Sequence, residues 1–282
     1  MSTGTRLDPI LESVRLRAAE RRKQYSLQDL RQLAVRDLER RRRFHRALSR
    51  AGLSFIAECK RRSPSAGTFS EAADLLPRAQ AYAEGGADAL SILTEEDHFR
   101  GNPEDFQALA SVGLPRLRKD FLLDEGMVRE SSLMQADCVL LIALCLPGGL
   151  LGELRAVAGE LGMAVLVEVH QEAEVERAVA VEPDLIGVNC RDLTRFETDL
   201  KVFERLLPLI PASFLRVAES GLHQEEDLHY VRQLGADGAL IGEALMRQEE
   251  PAEVLKAWKE ALGGGASSVP EQKVSEPDSS GD

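Results

Sequence analysis

Eight short apolar runs recur along the chain, and each is followed by a turn and a stretch able to hold a helix. They are "SFIAECK" ending near Lys60, "DALSIL" near Leu93, "LPRLRK" near Lys119 and "DCVLLIA" near Ala143. "AVLVEV" near Val169, "DLIGVN" near Asn189, "FLRVAES" near Ser220 and "GALIG" near Gly242 complete the set. Three intervening stretches, "LLPRAQAYAEGGADAL", "LLGELRAVAGELGMAV" and "DLHYVRQLGADGAL", read helix–Gly–strand. Gly85-Gly86, Gly162 and Gly235 stand where a helix C-cap belongs. A strand–helix unit of roughly 20–33 residues repeated eight times predicts an α/β protein built as a (β/α)8 TIM barrel. An open doubly wound sheet is the competitor, but it usually has fewer strands and needs a Gly-rich turn after its first strand. Here "KRRSPSAG" follows instead. With 282 residues, 44% of them hydrophobic, the chain can fill such a core.

The first strand poses a question. "FIAECKRRSPSAG" begins as a buried run, yet Glu58 and Lys60 follow within it and share one face of the strand. Alone, this stretch fits an edge strand with an ion pair on its solvent face. In a barrel it fits better, because polar groups gather at the C-terminal strand ends, where the active site opens. Lys119 ends the third strand, Glu168 the fifth, Asn189 the sixth and Glu219 the seventh. Two lysines, three glutamates and an asparagine therefore ring one mouth, a set suited to acid–base chemistry on an anion.

The last two turns add a second signal. "ESG" follows strand seven and "IGEALM" follows strand eight, so Gly221 and Gly242 let backbone N–H groups approach an anion. The loops after these strands are the usual phosphate site of such barrels, which points to a phosphorylated small molecule. The five histidines lack metal-ligand spacing, and no cofactor motif or Ser-His-Asp arrangement is present; only His170, beside Glu168, invites attention.

Both flanks differ from the barrel. Residues 1–52 hold 14 Lys/Arg and 6 Asp/Glu, a net of +8, while the whole chain carries −12. This predicts a basic helical extension lying against an acidic body. Asp8-Pro9 should open its first helix, and a Ser26–Asp29 capping box a second running through Leu30, Leu33 and Leu38, with Gly52 ending the arm. Residues 53–262 form the barrel, and 263–282, rich in Gly, Ser, Pro and acid, read as a disordered tail. The negative charge argues against nucleic acid as a partner. The longest apolar run is too short to span a bilayer. Four cysteines without CxxC or zinc spacing, and the absence of an apolar leader, suggest reduced thiols in the cytoplasm.

Seven motifs in order, "FIAECKRRSPSAG", "ALSILTEEDHFRG", "LRKDFLLDE", "LVEVH", "IGVNCRDL", "VAESGL" and "LIGEALM", resemble those of the indole-3-glycerol phosphate synthase family over the whole barrel. The resemblance implies ring closure of 1-(2-carboxyphenylamino)-1-deoxyribulose 5-phosphate to indole-3-glycerol phosphate, carbon dioxide and water, in tryptophan synthesis, with no cofactor or metal. It implies Lys119 as the general acid, Lys60 as an anion partner that serves the later dehydration, and Glu168 as counter-charge or base. Glu58, Asn189 and Glu219 would orient these groups and the sugar hydroxyls. Ser220, Gly221, Gly242 and Glu243 would cradle the phosphate, Glu243 through its backbone with its side chain turned away. Ser63 and Arg191 would hold the carboxylate, and Phe99 and Phe121 would wall the aromatic ring. Two alternatives stay open: another phosphate-binding barrel such as phosphoribosylanthranilate isomerase, and a silent barrel that binds a ligand without chemistry.

Overall fold

The computed structural model describes residues 5–64, 67–69 and 75–263. The expected tail therefore lies, beyond Gly263, outside the described residues. Eight parallel strands close into a barrel: β1 (Ser54–Cys59), β2 (Ala89–Leu93), β3 (Arg116–Lys119), β4 (Cys138–Ile142), β5 (Ala164–Val169), β6 (Leu185–Asn189), β7 (Leu215–Glu219) and β8 (Gly238–Ile241). Each strand pairs with its sequence neighbours, and β1 pairs with β8 to seal the ring. Every residue of β4, β5 and β6 is buried, as required when helices cover the outside and side chains fill the inside.

The bottom of the barrel repeats one device four times. Asp88, Asp137, Asp184 and Asp237 each precede an even-numbered strand by one residue and accept the backbone N–H of a residue on the strand before it. The bonds run from Phe55 at 2.8 Å, Arg116 at 2.8 Å, Val165 at 3.0 Å and Arg216 at 2.9 Å. Each carboxylate also meets a cation: Lys259 at 2.7 Å, Arg43 at 2.6 Å, Arg41 at 2.5 Å and Arg216 at 3.3 Å, respectively. For the buried Asp88 and Asp137, the pairing of backbone donor and cation satisfies a carboxylate that burial would otherwise make costly.

Three helices precede the barrel, α1 (Leu7–Gln24), α2 (Leu27–Leu33) and α3 (Leu38–Leu48). Leu7, Ile10, Val14 and Ala18 form the buried stripe of α1. Its start meets the loop after β6, where the Arg6 N–H donates to Thr194 O at 3.3 Å. Farther on, Arg17 reaches Asp97 at 2.5 Å and Arg21 reaches Glu96 at 3.3 Å on the loop after β2. The basic arm thus lies on acidic residues of the barrel. The Ser26–Asp29 capping box is present. Two sequence expectations need correction. The first helix starts at Leu7, inside whose first turn Asp8 accepts the Thr5 N–H at 3.0 Å, so Asp8 is not the N-cap. The helix opened by Ser26 stops at Leu33, because the Val35 backbone turns inward to bond the buried Ser132 Oγ through both its N–H and its C=O, at 3.0 and 2.7 Å. Leu38 begins a separate helix, capped by Asp37, which seats Phe44, Ala47 and Leu48 at the bottom of the barrel.

Candidate active site

Alternate strands of a closed barrel aim their side chains into a common layer. At the C-terminal rim β1, β3, β5 and β7 contribute Glu58, Lys119, Glu168 and Glu219 to such a layer. Lys119 Nζ stands between two carboxylates, 2.7 Å from Glu168 Oε2 and 3.1 Å from Glu219 Oε2. Lys60, just past β1, lies 2.6 Å from Glu58 Oε1, which answers the question posed by that strand: the two charges pair, but inside the mouth and not on an outer edge. All of these groups, with Ser63, Phe99, Phe121, Asn189, Arg191, Ser220, Gly221, Gly242 and Glu243, line one open cavity of about 890 Å³. Every site residue singled out in the sequence therefore faces the same space.

Two glycines make the packing possible. A Cβ on Gly187 would stand 2.1 Å from Glu219 Oε1, so the bare Cα gives this glutamate its room beside Glu168. A Cβ on Gly242 would lie 2.3 Å from Glu58 Oε1 and 2.7 Å from Lys60 Nζ. Gly242 thus makes space for the Glu58–Lys60 pair as well as for any ligand. The turn after β7 is left-handed twice over, at Ser220 and Gly221, both with φ +68°. Cys190 Sγ donates to Ser220 O at 3.3 Å and braces that turn; burial pushes its thiol up to about 12. The Glu243 carboxylate turns to Arg247, 2.9 Å away, one helical turn on. The Asn189 side chain accepts the Arg191 N–H at 3.0 Å. Phe99 and Phe121 meet at 6.3 Å between centroids, tilted by 43°.

The charges in the layer set one another. Burial acts against the Lys119 ammonium, but Glu168 and Glu219 outweigh it and hold it above its ordinary range. Burial likewise opposes the Glu168 carboxylate, and Lys119 with His170 overcomes this and keeps it ionised. Glu219 goes the other way: burial and the neighbouring Glu168 push it up to about 7. Lys119 and His170 both favour the Glu168 carboxylate, so the acid form is the more favoured at Glu219. Among the described residues Glu219 Oε1 finds no hydrogen-bond donor.

Sequence reasoning missed the support behind the rim. Arg118 alternates with Lys119 and points outward, fully buried, to Thr94 Oγ1 at 3.1 Å, Met127 O at 2.9 Å and Asp120 Oδ2 at 2.9 Å. Asp120 also accepts the Phe121 N–H at 2.8 Å, fixing the loop that carries that ring. The pattern Arg-Leu-Arg-Lys carried the signal, since two arginines on the outer face of a covered strand must find buried partners. Glu95 was overlooked too; it accepts the Phe99 N–H at 2.9 Å and shapes the loop after β2. Phe69, also missed, lies under Lys60 Nζ at 5.3 Å and the Arg247 guanidinium at 5.2 Å. Among the described residues no three His, Cys, Asp or Glu side chains gather as metal ligands would.

A closed parallel barrel with a lysine between buried carboxylates at its C-terminal mouth defines an acid–base enzyme of the TIM-barrel class. The family model for indole-3-glycerol phosphate synthase matches residues 7–258. The chain belongs to that family. An indole-3-glycerol phosphate synthase of Variovorax paradoxus is 43% identical over 263 residues, covering 89% of this chain and 97% of the relative. Those of Nocardioides and Acidovorax are 44% and 47% identical, over 87% and 71% of this chain and 94% and 77% of theirs. Among solved structures, a thiamine phosphate pyrophosphorylase from Pyrococcus furiosus superposes with TM-score 0.56 at 16% identity, over 77% of this chain and 96% of its own. An N-acetylmannosamine-6-phosphate 2-epimerase from Clostridium perfringens gives 0.57 at 17%, over 76% and 96%. At such identities these two speak for the fold alone. The chain is a carboxy-lyase of tryptophan biosynthesis that closes the indole ring, acting on a phosphorylated small molecule.

Proposed function

We propose that Lys119 is the acid of the ring closure. The observation that carries this reading is its ammonium, buried between Glu168 and Glu219 yet facing the cavity. The ring carbon bearing the carboxylate attacks the ketose carbonyl carbon, and the carbonyl oxygen takes a proton from Lys119. The aniline nitrogen becomes an iminium, and the Glu168 carboxylate supplies its counter-charge. Carbon dioxide then leaves, and the bonding pair it leaves behind restores the aromatic ring. The hydroxyl formed in the first step departs as water with a proton from Lys60, while the neighbouring methylene loses its proton to a carboxylate. Overall one proton is taken up, because a carboxylate departs as neutral carbon dioxide.

The remaining residues hold the substrate in this account. Arg191 and Ser63 face its carboxylate, Phe99 and Phe121 flank the ring, and the turns at Ser220-Gly221 and Gly242-Glu243 offer backbone N–H groups to the phosphate. Glu58 and Asn189 orient Lys60 and the sugar hydroxyls. Four buried cysteines suit a reducing cytoplasm, and no helix among the described residues is long and apolar enough to cross a membrane. Conversion of the carboxyphenylamino ketose by the purified protein, followed by indole fluorescence and carbon dioxide release, tests the reaction. Lys60→Met should release carbon dioxide faster than it forms indole, so that the hydroxylated intermediate accumulates. Indole formation in step with carbon dioxide in that variant would remove Lys60 from the dehydration.

A further inference from the structure

Glu168 is held from behind as well as from the cavity. Its Oε2 faces Lys119, and its Oε1 lies 3.2 Å from His170 Nε2. The other imidazole nitrogen, Nδ1, lies 3.3 Å from Glu174 Oε2. Glu174 belongs to helix α4 (Glu172–Ala180), is 3% exposed, and also accepts the His170 N–H at 2.8 Å and a Gln171 Nε2–H at 2.9 Å. Charges of alternating sign thus run Glu174–His170–Glu168–Lys119, from a helix on the outer layer to the mouth of the barrel.

Two carboxylates on one imidazole select its charge. Nδ1 hydrogen-bonds Glu174, while Nε2 meets Glu168 at an ion-pair distance without hydrogen-bond geometry, so a charged ring attracts both carboxylates where a neutral one would hold Glu174 alone. Burial works against the cation, but Glu168 and Glu174 more than compensate and raise His170 to about 9. The other groups nearby are accounted for. Cys145, on the turn after β4 that packs against this helix, is a thiol pushed up to about 12 by burial; the exposed Arg15 of α1 acts on it from the arm. Arg177 of the same helix is spent on the carbonyls of Ala143 and Leu146. Among the described residues, Lys119 and Glu219 stand on the far side of Glu168, as already described.

We propose that His170 is a positioning residue for the reaction: as an imidazolium clasped between Glu174 and Glu168, it fixes the Glu168 carboxylate ionised with Oε2 turned to Lys119. The proton delivered to the ketose oxygen then starts on the lysine and not on the glutamate. This rests on the roles given above to Glu168 and Lys119. A purely architectural role is the rival, since Glu174 also ties the chain ahead of its helix through the His170 N–H, and that bond is indifferent to ring charge.

The test reads the charge. Single-turnover ring closure is measured from about pH 6 to 10 for wild type, His170→Gln and Glu168→Gln, with melting curves alongside. In wild type the rate should fall as pH passes about 9, where His170 loses its proton. His170→Gln should be slower at pH 7 by about 10–100-fold, the range for outer partners of active-site groups, and should lack that alkaline limb. A folded His170→Gln with the wild-type rate and the limb intact overturns the proposal. If Glu168→Gln itself runs at the wild-type rate, the role of Glu168 fails first; a slow Glu168→Gln beside an unaffected His170→Gln removes His170 alone. Should His170→Gln not fold, NMR titration of the imidazole in the wild-type protein decides. A midpoint near 9 that drops in Glu174→Gln supports the clasp, and a midpoint below 7 overturns it.

Discussion

The two ends of this barrel use carboxylates in opposite ways. At the bottom, Asp88, Asp137, Asp184 and Asp237 each hold a backbone N–H and a cation, so their charges are satisfied and the strands are tied in pairs. At the top, Glu168 and Glu219 share one ammonium, and one oxygen of Glu219 has no donor among the described residues. The bottom spends its charges on stability. The top leaves them incompletely matched, which is where protons can move and where a substrate can supply what is missing.

That contrast can be broken most sharply by neutralising one carboxylate at each end. Glu168→Gln should lower turnover by about 10²–10⁴-fold, the scale for a lost acid–base group, with little change in melting temperature. A variant that melts far lower while its residual activity per folded molecule is normal would make Glu168 a structural residue instead. Asp137→Ala, at the bottom, should do the reverse. It removes a charge-assisted bond to the Arg116 N–H and the partner of Arg43, costing about 1.5–3 kcal/mol, while the turnover of folded protein stays near wild type. Urea unfolding and kinetics on one preparation settle both halves.

A subtler asymmetry lies in pH. Glu219 is raised to about 7, above the value of a glutamate in an unfolded chain, so the folded state binds its proton more tightly. Its favourable contribution is complete below about pH 4 and declines as pH rises through 7. Glu219→Gln, an uncharged mimic of the protonated acid, should therefore gain melting temperature relative to wild type between pH 5 and 8. A difference that stays constant across that range would place the proton elsewhere. The smallest effect belongs to the arm: Arg17→Ala removes pairs to Glu96 and Asp97 that are a third to a half exposed, and should shift melting by no more than about 4 °C. Removing the arm outright is a harsher change, because Phe44, Leu48 and the α1 stripe belong to the core.

Much of this was legible in the sequence because barrels mark their strand ends chemically. Apolar runs that stop at Glu58, Lys119, Glu168, Asn189 and Glu219 gave both the strands and the rim. What stayed hidden depended on distant partners. Nothing local distinguishes Leu33 and Leu38 from one continuous helix; the break exists because Val35 pairs with Ser132, far along the chain. The aspartates before the even-numbered strands look like ordinary turn residues until the preceding strand is laid beside them. His170 was visible as a neighbour of Glu168, but its second partner sits on the following helix and only folding brings the two carboxylates to one ring.

The central claim is that Lys119 delivers a proton and does not merely clamp an anion. It is tested most directly by comparing substrate affinity with the single-turnover rate of ring closure in Lys119→Met. The account predicts a rate lower by about 10²–10⁴-fold with affinity changed only a few-fold, because the phosphate and carboxylate are held by other residues. Collapse of affinity with a near-normal rate at saturating substrate would contradict it and make Lys119 an anion clamp.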